Sequence, residues 1–203
     1  MATPIAFDSR LDRILTAAAK VFADKGFHPT TMRDLSRATD MSLAGIYHYV
    51  SSKEEILYLI QQRCFSDVLA GAQAAVAAGR GPADRLERFI RHHVGFFASH
   101  MNEMKVLSHE ANSLAGTRLA HINAVKRRYV DLLRALVSAV DGDRDPGRDP
   151  QIAAYALFGM MNWIYTWYHP SGPITPDALA DRFAQLFLSG VSAPSSSTAP
   201  QGD

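Results

Sequence analysis

The sequence contains a single cysteine, Cys64, and this scarcity limits both its covalent and its metal chemistry. One thiol cannot form an internal disulfide, and the CxxC pair of zinc sites and redox motifs is absent. A lone cysteine at an apolar helical position is more often a small apolar filler than a reactive thiol. Cysteine usage therefore fits a reducing compartment and predicts a cytoplasmic protein.

Long hydrophobic runs are also missing. The apolar stretch 152–168 spans 17 residues and includes Asn162, whereas a helix needs about 20 apolar residues to cross a bilayer. The first residues lack the basic start and apolar stretch of a signal peptide. We therefore expect a buried helix at 152–168 and no membrane partner.

The chain has no excess of charge of either sign. Its 21 Lys and Arg residues balance 20 Asp and Glu residues, for a net charge of +1. Any affinity for DNA must then come from the placement of a few basic groups and from dimerisation. With 47% hydrophobic residues and only 10 prolines among 203 residues, we expect a mostly helical protein with one small and one larger domain.

Motifs for catalysis and for metal binding are scarce. The eight histidines form no HExxH pattern, no G-x-S-x-G motif is present, and no glycine-rich phosphate loop follows a strand. Adjacent residues such as His92 and His93 point in different directions on a helix. We predict no catalytic site, no metal site and no cofactor. A hydrolase or metalloenzyme that uses His and Glu residues of the larger domain is one alternative, and a helical adaptor that binds only protein is another.

The stretch 30–55 carries the most specific signal, because it reads as a helix, a tight turn, a short helix and the start of a third helix. Thr30 is predicted to cap the first helix and Ser42 the second. The second helix, predicted at 43–49, is barely two turns long and almost uncharged. Ile46 and Val50 face inward in this interpretation, which leaves small and aromatic groups outside. Such a face suits insertion into a DNA major groove.

This stretch resembles the operator-binding domain of the TetR family of one-component repressors. The matching residues are Thr30-Thr31, Arg33-Asp34-Leu35, Ser42, Gly45-Ile46-Tyr47 and Ser52-Lys53-Glu54-Glu55. The family commonly has glycine where this chain has Asp40, a residue that tolerates the left-handed conformation better than most. It commonly has His and Phe where this chain has Tyr49 and Val50. The resemblance implies a repressor that binds a palindromic, double-stranded DNA operator as a homodimer.

The expected DNA contacts combine residue chemistry with this resemblance. Thr31 and the free amides beside it are expected to hold one phosphate, and Lys53 another. Tyr47 and Tyr49 have ordinary packing as an alternative, and Arg33 has pairing with a nearby acid. The complete set of candidate DNA contacts is Thr30, Thr31, Arg33, Ser42, Leu43, Ala44, Gly45, Tyr47, His48, Tyr49 and Lys53.

Apolar periodicity and Gly or Pro breaks predict the remaining helices. The predicted helices cover 10–25, 53–78, 82–99, 103–114, 117–140, 150–168 and 176–189. An arm at 1–7, a loop at 141–150 and a disordered tail at 191–203 complete the prediction. We expect a helix-turn-helix DNA-binding domain over 1–55 and a helical ligand-binding and dimerisation domain over 56–190.

The last two helices are expected to form the dimer interface, because a helix that is apolar on nearly all sides must be covered on all sides. The candidate interface residues are Leu157, Met161, Ile164, Leu179, Phe183, Leu186 and Phe187. The resemblance likewise implies a four-helix interface between two copies. A purely intramolecular core is the alternative.

The larger domain carries Glu110 with Leu114, the cluster Lys126-Arg127-Arg128-Tyr129, and the stretch 162–170 with Gly172-Pro173. In these residues it resembles family members that sense acyl-CoA thioesters or related lipid and steroid catabolic intermediates. Its Met and aromatic residues can line an apolar cavity, and its arginines can meet the phosphates of a CoA. The candidate ligand contacts are Phe97, Met101, Met104, Leu107, Glu110, Arg118, Arg127, Met160, Trp163 and Trp167. The alternative is that the apolar residues are core and the arginines form a solvated face. The expected effector is small and hydrophobic, with an acyl-CoA as the leading candidate, and it would alter the spacing of the DNA-reading helices.

Overall fold

The computed structural model describes residues 9–142 and 149–192, and every regular element in these ranges is helical. The helices are α1 (Ser9–Lys25), α2 (Met32–Thr39), α3 (Leu43–Tyr47), α4 (Lys53–Ala77), α5 (Pro82–Ser99), α6 (Met101–His109), α7 (Gly116–Asp141), α8 (Pro150–Asn162) and α9 (Pro176–Ser192). The predicted all-α class is confirmed. The predicted arm at 1–7, residues 143–148 of the predicted loop and residues 193–203 of the predicted tail lie outside the described residues.

Helices α3, α6 and α8 end earlier than predicted, and α3 stops at Tyr47 instead of residue 49. Helix α6 stops at His109 instead of residue 114, because Asn112 and Ser113 favour turns over helix interiors. Helix α8 stops at Asn162, and a 3₁₀ turn over Trp163–Thr166 follows it. Aromatic and β-branched residues in that turn are weak helix formers. The Thr166 hydroxyl also donates to the Trp163 carbonyl at 2.7 Å, which supports the tighter turn.

The chain forms two compact units. The first comprises the chain to Ala70 together with Phe96–Arg128, and the second comprises Gly71–Gly95 and the chain from Tyr129 onward. Sequence reasoning placed α6 in the larger domain, but Val106 of α6 and Leu114 belong to the hydrophobic core of the helix-turn-helix. The division of function at residue 55 stays a prediction. None of the helices in the described ranges has both the length and the apolar character that a transmembrane segment requires.

The core of the first unit supports the short helices from behind. It brings together buried apolar side chains of α1, α2, α3, α4, α6 and α7, including Ile14, Phe22, Leu35, Ile46, Leu57, Val106 and Ile122. Because Leu35 and Ile46 are fully buried, the opposite faces of α2 and α3 must point outward. This packing fixes which side chains of the helix-turn-helix remain available to a partner.

The second unit has an aromatic centre. Phe89, Tyr129 and Phe158 pack around His93, whose ring lies nearly parallel to that of Tyr129. The His93 Nδ1 atom lies 3.0 Å from the Tyr129 hydroxyl oxygen. Burial lowers the pKa of His93 to about 3, so the ring is neutral at pH 7. From the sequence, His93 is a candidate only for metal binding, and no local pattern predicts a buried His–Tyr pair.

Candidate nucleic-acid interface

Helix α2 begins with a capping box that starts one residue later than the sequence predicted. The Thr31 hydroxyl accepts from the Asp34 amide at 3.2 Å, and the Asp34 carboxylate accepts from the Thr31 amide at 2.8 Å. Lys25 donates to the same carboxylate at 2.7 Å. Hydrogen bonds from Lys25 and from Thr31 hold the pKa of Asp34 well below its ordinary value. The carboxylate is therefore ionised throughout the physiological range.

The prediction that Thr30 caps α2 is wrong. Its side chain is buried, and its hydroxyl donates to the Gly26 carbonyl at 2.6 Å, where it satisfies the end of α1. Thr30 and Thr31 both carry a hydroxyl that can cap a helix, so the sequence alone does not show which of them is the N-cap. Their packing in the folded chain decides it. We therefore remove Thr30 from the candidate DNA contacts and keep the exposed Thr31.

The turn between α2 and α3 places Asp40 in the left-handed conformation, with φ 54° and ψ 37°. The Ser36 hydroxyl donates to the Met41 carbonyl at 2.5 Å and closes the turn. Glycine adopts this backbone conformation without steric cost, whereas aspartate only tolerates it. The chain therefore stores some backbone strain beside its candidate DNA-reading helix.

We expect Asp40→Gly to raise the free energy of unfolding by about 0.5 to 1 kcal/mol, because relief of left-handed strain outweighs the added entropy of the unfolded chain. Denaturant titration of the two proteins measures the difference. The control is Gln73→Gly, inside α4, which should lower the same free energy by about 1 kcal/mol. A destabilised Asp40→Gly protein would show that the aspartate side chain stabilises the turn.

Helix α3 presents a compact outward face. The Ser42 hydroxyl accepts from the Gly45 amide at 3.1 Å and caps the helix, while Ile46 and Val50 are buried beneath it. Ala44 and His48 are exposed, and the side chain of Tyr47 is 50% exposed. Small and aromatic groups thus face outward from a helix with a rigid apolar base, which is the surface a major-groove reader requires.

Other candidate DNA contacts take more varied positions. Leu43, Gly45 and Tyr49 are each partly exposed, and Tyr49 packs against the core, as the packing alternative predicted. Arg33 is exposed, and Asp34 pairs with Lys25 and Arg37 instead of with Arg33. The geometry therefore favours the DNA-facing interpretation of Arg33 and the packing interpretation of Tyr49.

Lys53 does not have the role that the sequence predicted. Its ammonium group donates to the carbonyls of Phe27, His28 and Thr30 at 2.8, 3.0 and 2.9 Å. It also lies 4.4 Å from the centroid of the Phe27 ring. An ammonium has three N–H donors, and all three are used within the protein. We therefore assign Lys53 to the support of the turn between α1 and α2 instead of to a phosphate.

We expect Lys53→Met to lower the free energy of unfolding by about 2 to 3 kcal/mol, because carbonyls that accept from a charged donor lose their partner. Thermal unfolding by circular dichroism tests this. Lys20→Met, which changes an exposed lysine of α1, is the matched control and should shift the melting temperature little. Equal stability of the Lys53 variant and the control would contradict the assignment.

The ten candidate ligand contacts fall into both units. Phe97, Met104, Leu107 and Glu110 are buried in the first unit. Met101 and Arg118 of that unit are partly exposed and Arg127 is exposed, and the Arg118 guanidinium lies 5.7 Å from the Tyr58 ring centroid. Met160, Trp163 and Trp167 belong to the second unit, where both tryptophans are exposed. Because their side chains are exposed, Trp163 and Trp167 do not line an enclosed pocket within the protomer.

A small cavity of about 100 Å³ lies in the first unit, bounded by α1, α4, α5 and α6. Its lining includes Ile60, Cys64, Phe96, His100 and Glu103, and none of the ten candidate ligand contacts. Burial raises the pKa of the Cys64 thiol, which fits the predicted filler role. Drug-sized ligands occupy pockets of about 300 to 1,000 Å³, so a sizeable effector must displace packed side chains to enter here. No group of His, Cys, Asp and Glu side chains in the described ranges could hold a metal ion.

The predicted dimer residues lie mostly inside the protomer. Leu157, Met161, Ile164, Leu179 and Phe187 are buried, as the intramolecular alternative required, and Phe183 is partly buried. Leu186 alone of the predicted set is strongly exposed, at 63%. The register prediction is thus wrong for the buried residues, because α8 and α9 use those side chains to pack within the second unit.

A different face of α8 is apolar and exposed. Ile152 and Tyr155 of α8 are exposed by 69% and 54%, and Trp163, the first residue of the 3₁₀ turn that follows, is exposed by 61%. They follow helical spacing, with the small exposed residues Ala156 and Gly159 between them. Exposed apolar residues at helical spacing indicate an interaction surface. We call these residues, together with the exposed Leu186 of α9, the α8–α9 surface.

Comparisons with known proteins match both parts of the chain. Residues 14–58 match the model of the tetR family of bacterial regulatory proteins, and residues 79–191 match the tetracyclin repressor-like C-terminal domain. The chain is similar to the HTH-type transcriptional repressor KstR2 of Mycolicibacterium smegmatis, with 27% identity over 210 residues. That alignment covers 99% of this chain and 97% of the relative.

Solved structures give the same result. The TetR family regulator PfmR from Thermus thermophilus is similar with a TM-score of 0.80 and 31% identity, over 90% of this chain and 100% of that one. AibR, solved in complex with isovaleryl coenzyme A and operator DNA, is similar with a TM-score of 0.78 and 30% identity. The AibR match covers 88% of this chain and 97% of that chain.

Proposed function

Because the chain belongs to the TetR family of bacterial transcriptional regulators, we propose that it represses transcription by binding a palindromic operator as a homodimer and leaves the operator when a small hydrophobic effector binds. The family consists of DNA-binding regulators, not enzymes, which sets aside the hydrolase and metalloenzyme alternatives. A protein-only adaptor would leave the helix-turn-helix without a use.

The observation that carries the proposal is the outward face of α3. Buried Ile46 and Val50 fix the helix on the core, while Tyr47 and His48 project from it. Ala44 adds a small apolar group that suits a thymine methyl. The N-terminus of α2, with the exposed residues Thr31 and Arg33 beside it, offers amides and a cation to the phosphates.

Dimerisation through the α8–α9 surface is the second part of the proposal. A second copy of the chain would remove the exposed apolar side chains of Tyr155, Trp163 and Leu186 from water, and this burial favours association. The small residues Ala156 and Gly159 allow close approach of a partner helix. A twofold dimer would also place two copies of α3 in successive major grooves, about 34 Å apart, which compensates for the low net charge.

An acyl-CoA thioester is the effector that we propose, with AibR and its isovaleryl coenzyme A as the supporting relative. Met101, Met104 and Leu107 lie on α6, and their side chains can repack around an acyl chain. The described cavity of about 100 Å³ is too small for such a chain. An acyl chain that enters at this cavity must displace the helices around it, and such a displacement is what release of the operator requires.

A mobility-shift titration tests the whole proposal. DNA from upstream of the chain's own gene is bound to the protein and then titrated with acyl-CoA thioesters of increasing chain length. We expect a salt-sensitive complex that one class of thioester dissolves. A complex that resists every thioester would discard the acyl-CoA part and leave the repressor intact. Absence of a complex at every salt concentration would contradict the DNA-binding part.

A further inference from the structure

The turn between α1 and α2 is held by side chains from two other helices. Lys53, at the start of α4, donates to its carbonyls as described above. Glu110, the residue directly after α6, accepts from the Phe27 amide of the same turn. The turn therefore sits between a cation and an anion that lie far from it in the sequence.

Glu110 is buried and makes bonds at each of its oxygens. Its Oε1 atom accepts from the Phe27 amide at 3.2 Å, and its Oε2 atom accepts from the Ser113 hydroxyl at 2.6 Å. The Glu110 backbone carbonyl accepts from the Gln61 side chain of α4 at 3.1 Å. The His28 ring approaches Oε2 at 3.9 Å. The end of α6 is thus tied to the turn and to α4 within the first unit.

Packing alone does not account for a carboxylate in this position. A buried carboxylate is costly unless it is hydrogen-bonded, and an apolar side chain of similar size would fill the same volume. What the carboxylate adds is a directional bond to one backbone amide. That bond fixes the end of α6 against Phe27, whose ring is itself buried against Phe22.

The turn leads directly into the DNA-reading elements. Thr31 follows it immediately as the N-cap of α2, and α2 leads through the Asp40 turn into α3. A displacement of Phe27 must therefore move the cap of α2, since only three residues separate them. On the other side, α6 begins two residues after α5 ends, and α5 starts in the second unit.

We propose that Glu110 is the positioning residue that couples α6 to operator binding, so that the arrangement of α6 and the arrangement of α2 and α3 change together. The inference rests on the proposed function, because it names the link by which an effector would act on the DNA-reading helices. It replaces the earlier assignment of Glu110 to ligand contact. Coupling of this kind is reciprocal. If the arrangement of α6 changes the affinity for DNA, then DNA binding must change the arrangement of α6.

Reciprocity allows a test that needs no effector. The full-length protein is mixed with a duplex selected from a randomised pool, and amide hydrogen exchange is followed by mass spectrometry. In the wild type, DNA should slow exchange in peptides of α3 and also in α6, by about fivefold or more in each. In Glu110→Leu, whose side chain has a similar size and no acceptor for the Phe27 amide, DNA should slow exchange in α3 but change α6 less than about twofold.

Two further variants complete the design. Glu103→Gln removes an acid of the same helix that lines the small cavity instead of the turn, and it should behave as the wild type. Ser113→Ala removes one bond to Glu110 and keeps its charge, so it should weaken the α6 response partly. If Glu110→Leu does not fold, as judged by circular dichroism, the comparison of Ser113→Ala with the wild type decides.

The outcomes separate the two proposals. Failure of the wild type to enrich any sequence from the pool would contradict the proposed function itself. DNA binding that slows exchange in α3 and leaves α6 unchanged would overturn the role of Glu110 while leaving the regulator intact. An α6 response that is the same in the wild type, in Glu110→Leu and in Ser113→Ala would overturn it equally.

Discussion

Replacement of Leu186 by aspartate is expected to convert the protein from dimers to monomers and to abolish operator binding with it. Leu186 is 63% exposed, so the change should leave the protomer folded. In a twofold dimer the change occurs twice, and each buried leucine contributes about 1.5 to 3 kcal/mol. Two aspartates would also be desolvated at the interface. We expect the dimer dissociation constant to rise by about 1,000-fold or more.

Sedimentation velocity measures this result directly, as a shift from the mass of two chains to that of one chain of 22.3 kDa. Ile174→Asp is the matched control, since Ile174 is 47% exposed and lies before α9, outside the α8–α9 surface. Phe187→Asp makes a contrasting case, because Phe187 is buried and its replacement should unfold the second unit. A Leu186→Asp protein that remained dimeric and bound operator would contradict the proposed interface.

Truncation of Tyr47 is the second change with a large expected effect. Tyr47→Ala should weaken operator binding by about 100-fold. Each helix-turn-helix loses contacts worth more than about 1 kcal/mol, and the proposed dimer has two of them. The side chain is half exposed and Ile46 carries the packing of α3, so the melting temperature should change little. Fluorescence anisotropy with a labelled operator duplex measures the affinity.

Two controls and one further test variant accompany Tyr47→Ala. Tyr47→Phe keeps the ring and separates the hydroxyl from the aromatic contribution. Gln73→Ala changes an exposed residue of α4 in the second unit and should bind DNA as the wild type does. His48→Ala should weaken binding in the same direction as Tyr47→Ala. Unchanged affinity in both α3 variants would mean that another surface reads the DNA.

The helix-turn-helix was predictable because its signals are local. Ser42 caps α3 and Asp40 takes the left-handed turn, and both features follow from the chemistry of single residues at known offsets. The N-cap of α2 was misplaced by one residue because Thr30 and Thr31 have the same hydroxyl chemistry. Only the core decides that Thr30 turns inward to the carbonyl of Gly26.

The face of α8 that the protomer leaves exposed for the proposed dimer was not predictable in the same way. Helix α8 is apolar on nearly every side, so periodicity cannot tell which face packs within the protomer. Leu157 and Met161 were expected at the interface, yet they are buried in the second unit, while Ile152 and Tyr155 remain outside. When a helix is apolar on both faces, only the structure shows which face packs within the protomer and which remains exposed.

The roles of Lys53 and Glu110 depend on contacts across long sequence separations. Lys53 meets the Phe27 carbonyl 26 residues away, and Glu110 meets the Phe27 amide 83 residues away. From the sequence, Lys53 at the start of a helix was predicted to contact a phosphate, and Glu110 near an apolar stretch was predicted to contact the ligand. Both assignments changed because the structure supplies internal partners for these charges.

The measurement that tests the central claim most directly is a footprint of the protein on its own upstream DNA across a range of salt concentrations. Our account predicts a protected palindrome with half-sites one helical turn, or a multiple of it, apart. It also predicts an affinity that falls steeply with salt and exceeds that for unrelated DNA by about 1,000-fold or more. Equal affinity for unrelated duplexes, or no protected sequence at any salt concentration, would contradict the claim that this chain is an operator-binding dimer.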